Sequence, residues 1–218
     1  MVVPIGDDNT GRKRFPILTY ALIAANAAVF YLELVGGEAF VRQWAFTASR
    51  FNADPWGEAP TLLTAMFMHA GWAHLLGNML YLWIFGDNVE DRFGRLRFLA
   101  FYLVSGVIAT FSQYALDPNS TLPNVGASGA IAGVLGAYLL FFPKARVHVL
   151  LGRSVAPVPA FVALGLWFAL QLAAGVGAVA TTAESEQGGI AYGAHVGGFV
   201  AGLLMAGMMG GFRRGRIA

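Results

Sequence analysis

A serine hydroxyl is a poor nucleophile until a base removes its proton, and neutral imidazole suits that task near pH 7. This chain places both groups in apolar surroundings. Ser128 sits in Gly126-Ala127-Ser128-Gly129 at the edge of one long apolar stretch, and His195 sits in Gly193-Ala194-His195-Val196-Gly197-Gly198 inside another. Ionisable residues within membrane-spanning segments are costly, and so they mark functional sites by default. If the two residues meet, they could hydrolyse a bond inside a membrane. A tetrahedral intermediate would also need donors aimed at its oxyanion. The Asn78 amide, the His74 ring N–H and the Ser128 backbone N–H at a helix start are the candidates. Gly126 and Gly129 flank the serine and would let backbone and substrate approach closely. No carboxylate is placed to orient His195: Asp87 and Glu90 lie several helical turns beyond Asn78, and Asp117 falls in a loop. The expected catalytic unit is a Ser–His dyad rather than a triad, with no metal or cofactor.

These residues need a scaffold, and composition indicates its class. The 218 residues are 57% hydrophobic and 12% charged, about half the roughly 25% charge of a soluble domain. A net charge of +2 gives nucleic-acid binding no support. The absence of cysteine excludes disulfides, thiol catalysis and Cys-ligated metals. Apolar runs at 16–35, 73–88, 96–116, 125–142, 155–180 and 189–211 are long enough to span a bilayer. The expected fold is all-α, a polytopic six-transmembrane-helix bundle over 16–211. An N-terminal segment, 1–15, precedes it and a basic tail, 212–218, follows it.

Charge gives the orientation. Basic residues in short loops mark the cytoplasmic side. Arg12, Lys13 and Arg14, then Arg92, Arg95 and Arg97, then Lys144, Arg146 and Arg153, then Arg213, Arg214 and Arg216 all fall on one side if both termini are inside. The outer loops carry Glu38, Asp54, Glu58, Asp117, Glu184 and Glu186, with Arg42 and Arg50 as their only arginines. The first span reads as a retained helix, because the cleavage-like Ala25-Asn26-Ala27 lies mid-run. A prokaryotic cell membrane is the expected location. In this topology spans two, four and six enter from outside, which brings His74, Asn78, Ser128 and His195 to comparable depths. His74 and Asn78, four apart, share one helix face.

Each residue also has a plainer reading. A serine in a Gly-rich span can mark close helix packing, a lone histidine or Asn78 can serve interhelical hydrogen bonding, and His69 and His74 can be interfacial. Gly129, Gly133 and Gly136, with Gly198 and Gly202, read as packing seams that let spans four and six touch. The outer segment 36–68, with Trp44, Phe46, Phe51, Trp56 and Phe67, reads either as an interfacial segment or as a folded loop. The coincidence of side and depth favours function for the set.

The sequence resembles the rhomboid family of intramembrane serine proteases over about 16–211. The blocks that carry the resemblance are His69-Ala70-Gly71-Trp72-Ala73-His74-Leu75-Leu76-Gly77-Asn78, Gly126-Ala127-Ser128-Gly129 and Gly193-Ala194-His195-Val196-Gly197-Gly198. The resemblance implies Ser128 as nucleophile, His195 as general base and acid, and Asn78, His74 and the Ser128 N–H as oxyanion stabilisers. It implies a structural role for His69 and a scaffold hydrogen bond for Glu90. The implied partners are transmembrane protein substrates within the lipid bilayer, with oligomeric state open. One position departs from the pattern: some members carry a tyrosine four residues after the serine, stacked on the histidine, where this chain has Ala132. Two other readings stand beside the protease, an inactive rhomboid-like protein that binds membrane clients and a small transporter or channel.

Overall fold

The computed structural model describes residues 2–180 and 191–210. Glu184 and Glu186 and the cluster Arg213, Arg214 and Arg216 lie outside the described residues. The chain runs β1 (Val2–Asp7), α1 (Ile17–Trp44), α2 (Ala48–Ala53), α3 (Pro55–Glu58), α4 (Thr61–Thr64), α5 (Trp72–Phe93), α6 (Arg95–Leu116), α7 (Ser128–Phe141), β2 (Arg146–Leu151), β3 (Ser154–Pro159), α8 (Ala160–Ala180) and α9 (Tyr192–Gly210). Helices α1, α6 and α9 are long and apolar enough to cross a membrane, and Ser128–Phe141 and Ala160–Val176 are shorter apolar helices. Exposed leucines and valines along α1, α8 and α9 suit a hydrocarbon solvent rather than water.

α7 is the centre of the bundle. It packs against α5, α6 and α9 and is buried continuously from Gly129 to Tyr138, as expected of a helix that is apolar all round. Its 14 residues make about 21 Å of helix, short of the roughly 30 Å hydrocarbon thickness.

The all-α expectation needs a correction. A three-stranded antiparallel sheet, in the order β1-β2-β3, covers one end of the bundle. The apolar run at 155–180 divides into strand and helix at residue 160. Pro157 and Pro159 explain the break: proline withholds a ladder donor and suits an edge strand, which β3 is. Val147 and Val149 of β2 point into the core. The sheet joins the N-terminal segment to the helix ends. The Asp7 carboxylate accepts from Tyr138 Oη (2.6 Å) and Asn88 Nδ2 (2.6 Å), and Arg12 pairs with Asp87. Burial pushes the Asp7 carboxyl up to about 7.

At the same end Glu90 of α5 caps α1. Its carboxylate accepts from the Leu18 N–H (3.1 Å), the Thr19 N–H (2.7 Å) and the Thr19 hydroxyl (2.9 Å). These donors belong to the first turn of α1, which has no partner within the helix for them. The scaffold hydrogen bond implied for Glu90 is thus present.

The opposite end is a folded loop. α1 breaks at Gly37, where φ is 58°, and the chain beyond it is tied to the segment before α7. Asn124 N donates to Phe46 O (2.8 Å) and Gly126 N to Ala65 O (2.9 Å). Phe46 and Phe51 form a small core with Tyr114, whereas Trp56 is 90% exposed. These ties fix where α7 begins.

Candidate active site

Ser128 is the first residue of α7, and the chain turns into the helix through Gly126. There φ is 137°, and a Cβ would lie 2.8 Å from the His74 ring. Only glycine meets both conditions, since a side chain is disfavoured at that φ and would also collide with the imidazole. At the helix start the Ser128 N–H is among four amides without an intrahelical acceptor, at the positive end of the helix dipole.

His195 reaches Ser128 from α9. Its Nε2 lies 2.8 Å from Ser128 Oγ, the hydrogen-bond distance a nucleophile and its base require. The residues are 67 apart in sequence, and the approach of α7 to α9 brings them together. That approach is at backbone contact. A Cβ on Gly198 would lie 2.1 Å from Gly129 O, and one on Gly202 2.1 Å from Gly133 O. The expected glycine seam is therefore present, and Gly136 extends it against Phe199.

Asn78 and His74 line the same cavity as Ser128 and His195, a volume of about 520 Å³ with apolar walls that include Tyr81, Ile131, Leu135 and Trp167. Asn78 is buried, and among the described residues its Nδ2 has no hydrogen-bond partner. A buried amide donor without a partner is costly, and this one lines the cavity that also holds Ser128. His74 Nδ1 accepts a long bond from Ala70 N (3.4 Å), which leaves Nε2 as the protonated nitrogen near Gly126. The cavity thus gathers Ser128, His195, Asn78 and His74, the four side chains expected at the site.

His69 does not line it. Its ring is buried edge-on to His74, with centroids 5.1 Å apart, and its backbone N–H donates to Glu33 (2.9 Å). Burial, with His74 beside it, pushes His69 down to about 4, so it packs as a neutral ring. That suits the structural role the resemblance implies.

Sequence reasoning missed two residues, both on α8. Gln171 Oε1 lies 2.7 Å from His195 Nδ1, and the Trp167 ring packs 5.9 Å from the His195 ring at 36°. The signal was present, since Gln171 is the one hydrogen-bonding amide in an otherwise apolar helix. A buried polar group normally has a partner, but the sequence does not say which.

A family model for the rhomboid domain matches residues 56–212. The chain is 40% identical over 126 residues to "Rhomboid protease GluP" of Bacillus subtilis, a match covering 57% of this chain and 24% of that protein. It is 36% identical over 128 residues to YdcA of the same organism, covering 58% of this chain and 63% of that one. It is 31% identical over 192 residues to "Rhomboid protein 1, mitochondrial" of Saccharomyces cerevisiae, covering 86% and 51%. In each case the match spans less than two thirds of the relative's own length. Bacterial and mitochondrial relatives stand together, so the comparison favours neither membrane.

Proposed function

Because the chain belongs to the rhomboid family, we propose that it is an intramembrane serine endopeptidase that cleaves other membrane proteins in or beside a spanning helix. The observation that carries this reading is the 2.8 Å contact of Ser128 Oγ with His195 Nε2 at the wall of an apolar cavity. Ser128 Oγ attacks the scissile carbonyl while His195 Nε2 takes its proton. The Asn78 amide, the His74 Nε2–H and the Ser128 N–H stabilise the oxyanion. His195 then gives the proton to the departing amine, and a water repeats the sequence to release the acyl group. A recessed start of α7 lets water reach the serine from one side while substrate approaches through lipid.

The membrane domain proposed is the six-span bundle over 16–211, with α5, α7 and α8 completing the set that α1, α6 and α9 begin. The reconstituted protein should cleave some of a panel of labelled single-span proteins within or next to the span, and a fluorophosphonate probe should label it. A protein that binds these clients yet neither cuts them nor takes the probe would be the inactive relative instead.

The proposed orientation has both termini cytoplasmic. It gains support from the arrangement in which Arg12, the α5–α6 turn and Arg146 share the sheet end, opposite the end of the bundle that carries Glu38, Asp54 and Asp117. No native cysteine interferes, so single cysteines can report on sidedness. Cysteines introduced in 45–60 should react with an impermeant maleimide from outside, and ones near 94 or 145 should not. The reverse pattern would place the cavity on the cytoplasmic side and reject the orientation.

A further inference from the structure

We propose that Gln171 is a positioning residue that holds His195 in the one tautomer able to accept the Ser128 proton; this rests on the dyad reading above. The Gln171 Oε1 atom, 2.7 Å from His195 Nδ1, can only accept a hydrogen bond, so Nδ1 carries the hydrogen. In a neutral imidazole the lone pair is then on Nε2, the atom 2.8 Å from Ser128 Oγ. The opposite tautomer would set the Nδ1 lone pair against the amide oxygen and turn an Nε2–H toward the serine, where no proton could be taken. Gln171, His195 and Ser128 therefore form one directed hydrogen-bond chain across α8, α9 and α7.

The choice of an amide follows from the surroundings. A carboxylate here would be a charge among apolar side chains, which is expensive within a bilayer, whereas an amide fixes the ring without charge. Trp167, one turn earlier on the same face of α8, packs against the ring at 36° and also against Phe199 at 6.1 Å. Gln171 fixes rotation within the ring plane and Trp167 limits its tilt. Together they supply what Ala132, a small buried residue, does not. His195 is thus in its reactive tautomer only while α8 lies against α9.

Two measurements on the full chain in lipid nanodiscs test this. In kinetics, Gln171→Leu should lower kcat on the order of 10²-fold, the scale of a misplaced reacting group, with KM nearly unchanged. Gln171→Glu keeps the acceptor, so it should recover most of kcat. Its carboxylate would favour the imidazolium, which moves the acidic limb of the kcat/KM profile to higher pH. Equal damage in both variants, or a wild-type kcat in Gln171→Leu, overturns the proposal. Independently of activity, nitrogen-15 NMR of labelled histidine should show His195 protonated at Nδ1 in the wild type and losing that preference in Gln171→Leu. An unchanged tautomer overturns it. If the wild type cuts nothing, the protease reading fails, and the NMR result still decides the role of Gln171.

Discussion

Ser128→Ala and His195→Ala are each expected to reduce peptide-bond hydrolysis by roughly 10⁴- to 10⁶-fold, with the double variant no worse than either single one. The two side chains act on one proton, so removing either stops the same step, and a second removal has nothing left to take away. Fluorophosphonate labelling should vanish in both. Asn78→Ala should cost less, roughly 10²-fold in kcat, because it removes one of three donors while the Ser128 N–H remains. It should also leave probe labelling detectable, with substrate binding largely unchanged. Purified Ser128→Ala that cleaves at the wild-type rate would sink the mechanism. Additive losses in the double variant would mean that the two residues work separately despite the 2.8 Å contact.

Much of this site could be read before any coordinates, for physical reasons that also set the limit. Apolar runs are legible because a bilayer demands them, and each long helix falls largely within one of the runs expected. Ser128 and His195 stood out because polar groups in such runs are expensive, and a shared side and depth suggested that they meet. The sheet was not legible in the same way. Val155 to Pro159 runs without a charge into the apolar helix that follows, and hydropathy cannot separate an apolar strand from an adjoining apolar helix. Its neighbour β2 pairs in turn with β1 at the far N-terminus. The role of Gln171 is hidden from sequence for a different reason. Whether it faces His195 or lipid depends on the rotation of α8 about its own axis, and a helix apolar on every side carries no periodicity to fix that rotation. The question left by Ala132, what holds the histidine ring, thus has its answer on α8.

The approach of α7 to α9 makes the second large prediction. Gly198→Val and Gly202→Val should each lower turnover by about 10²-fold or more, although neither residue touches a reacting atom. A Cβ at either position would lie 2.1 Å from a carbonyl oxygen of the facing backbone, Gly129 O or Gly133 O. A side chain could turn away from such a clash, but a backbone carbonyl within a buried helix cannot, so the helices must part. Gly198 is less than one turn from His195, and a shift of α9 near 1 Å would stretch the Nε2–Oγ contact beyond hydrogen-bond reach. A displacement of that size can cost on the order of 10²-fold in rate. Gly165→Ala on α8 is the matched control. Its Cβ would meet nothing within 4 Å among the described residues, and alanine is the better helix former by roughly 1 kcal/mol, so activity should hold. Circular dichroism and thermal melts of the three variants separate displaced helices from lost folds. Near-normal turnover in both valine variants, with the fold intact, would show that the site closes only around substrate and that the glycine seam does not set the distance between base and nucleophile.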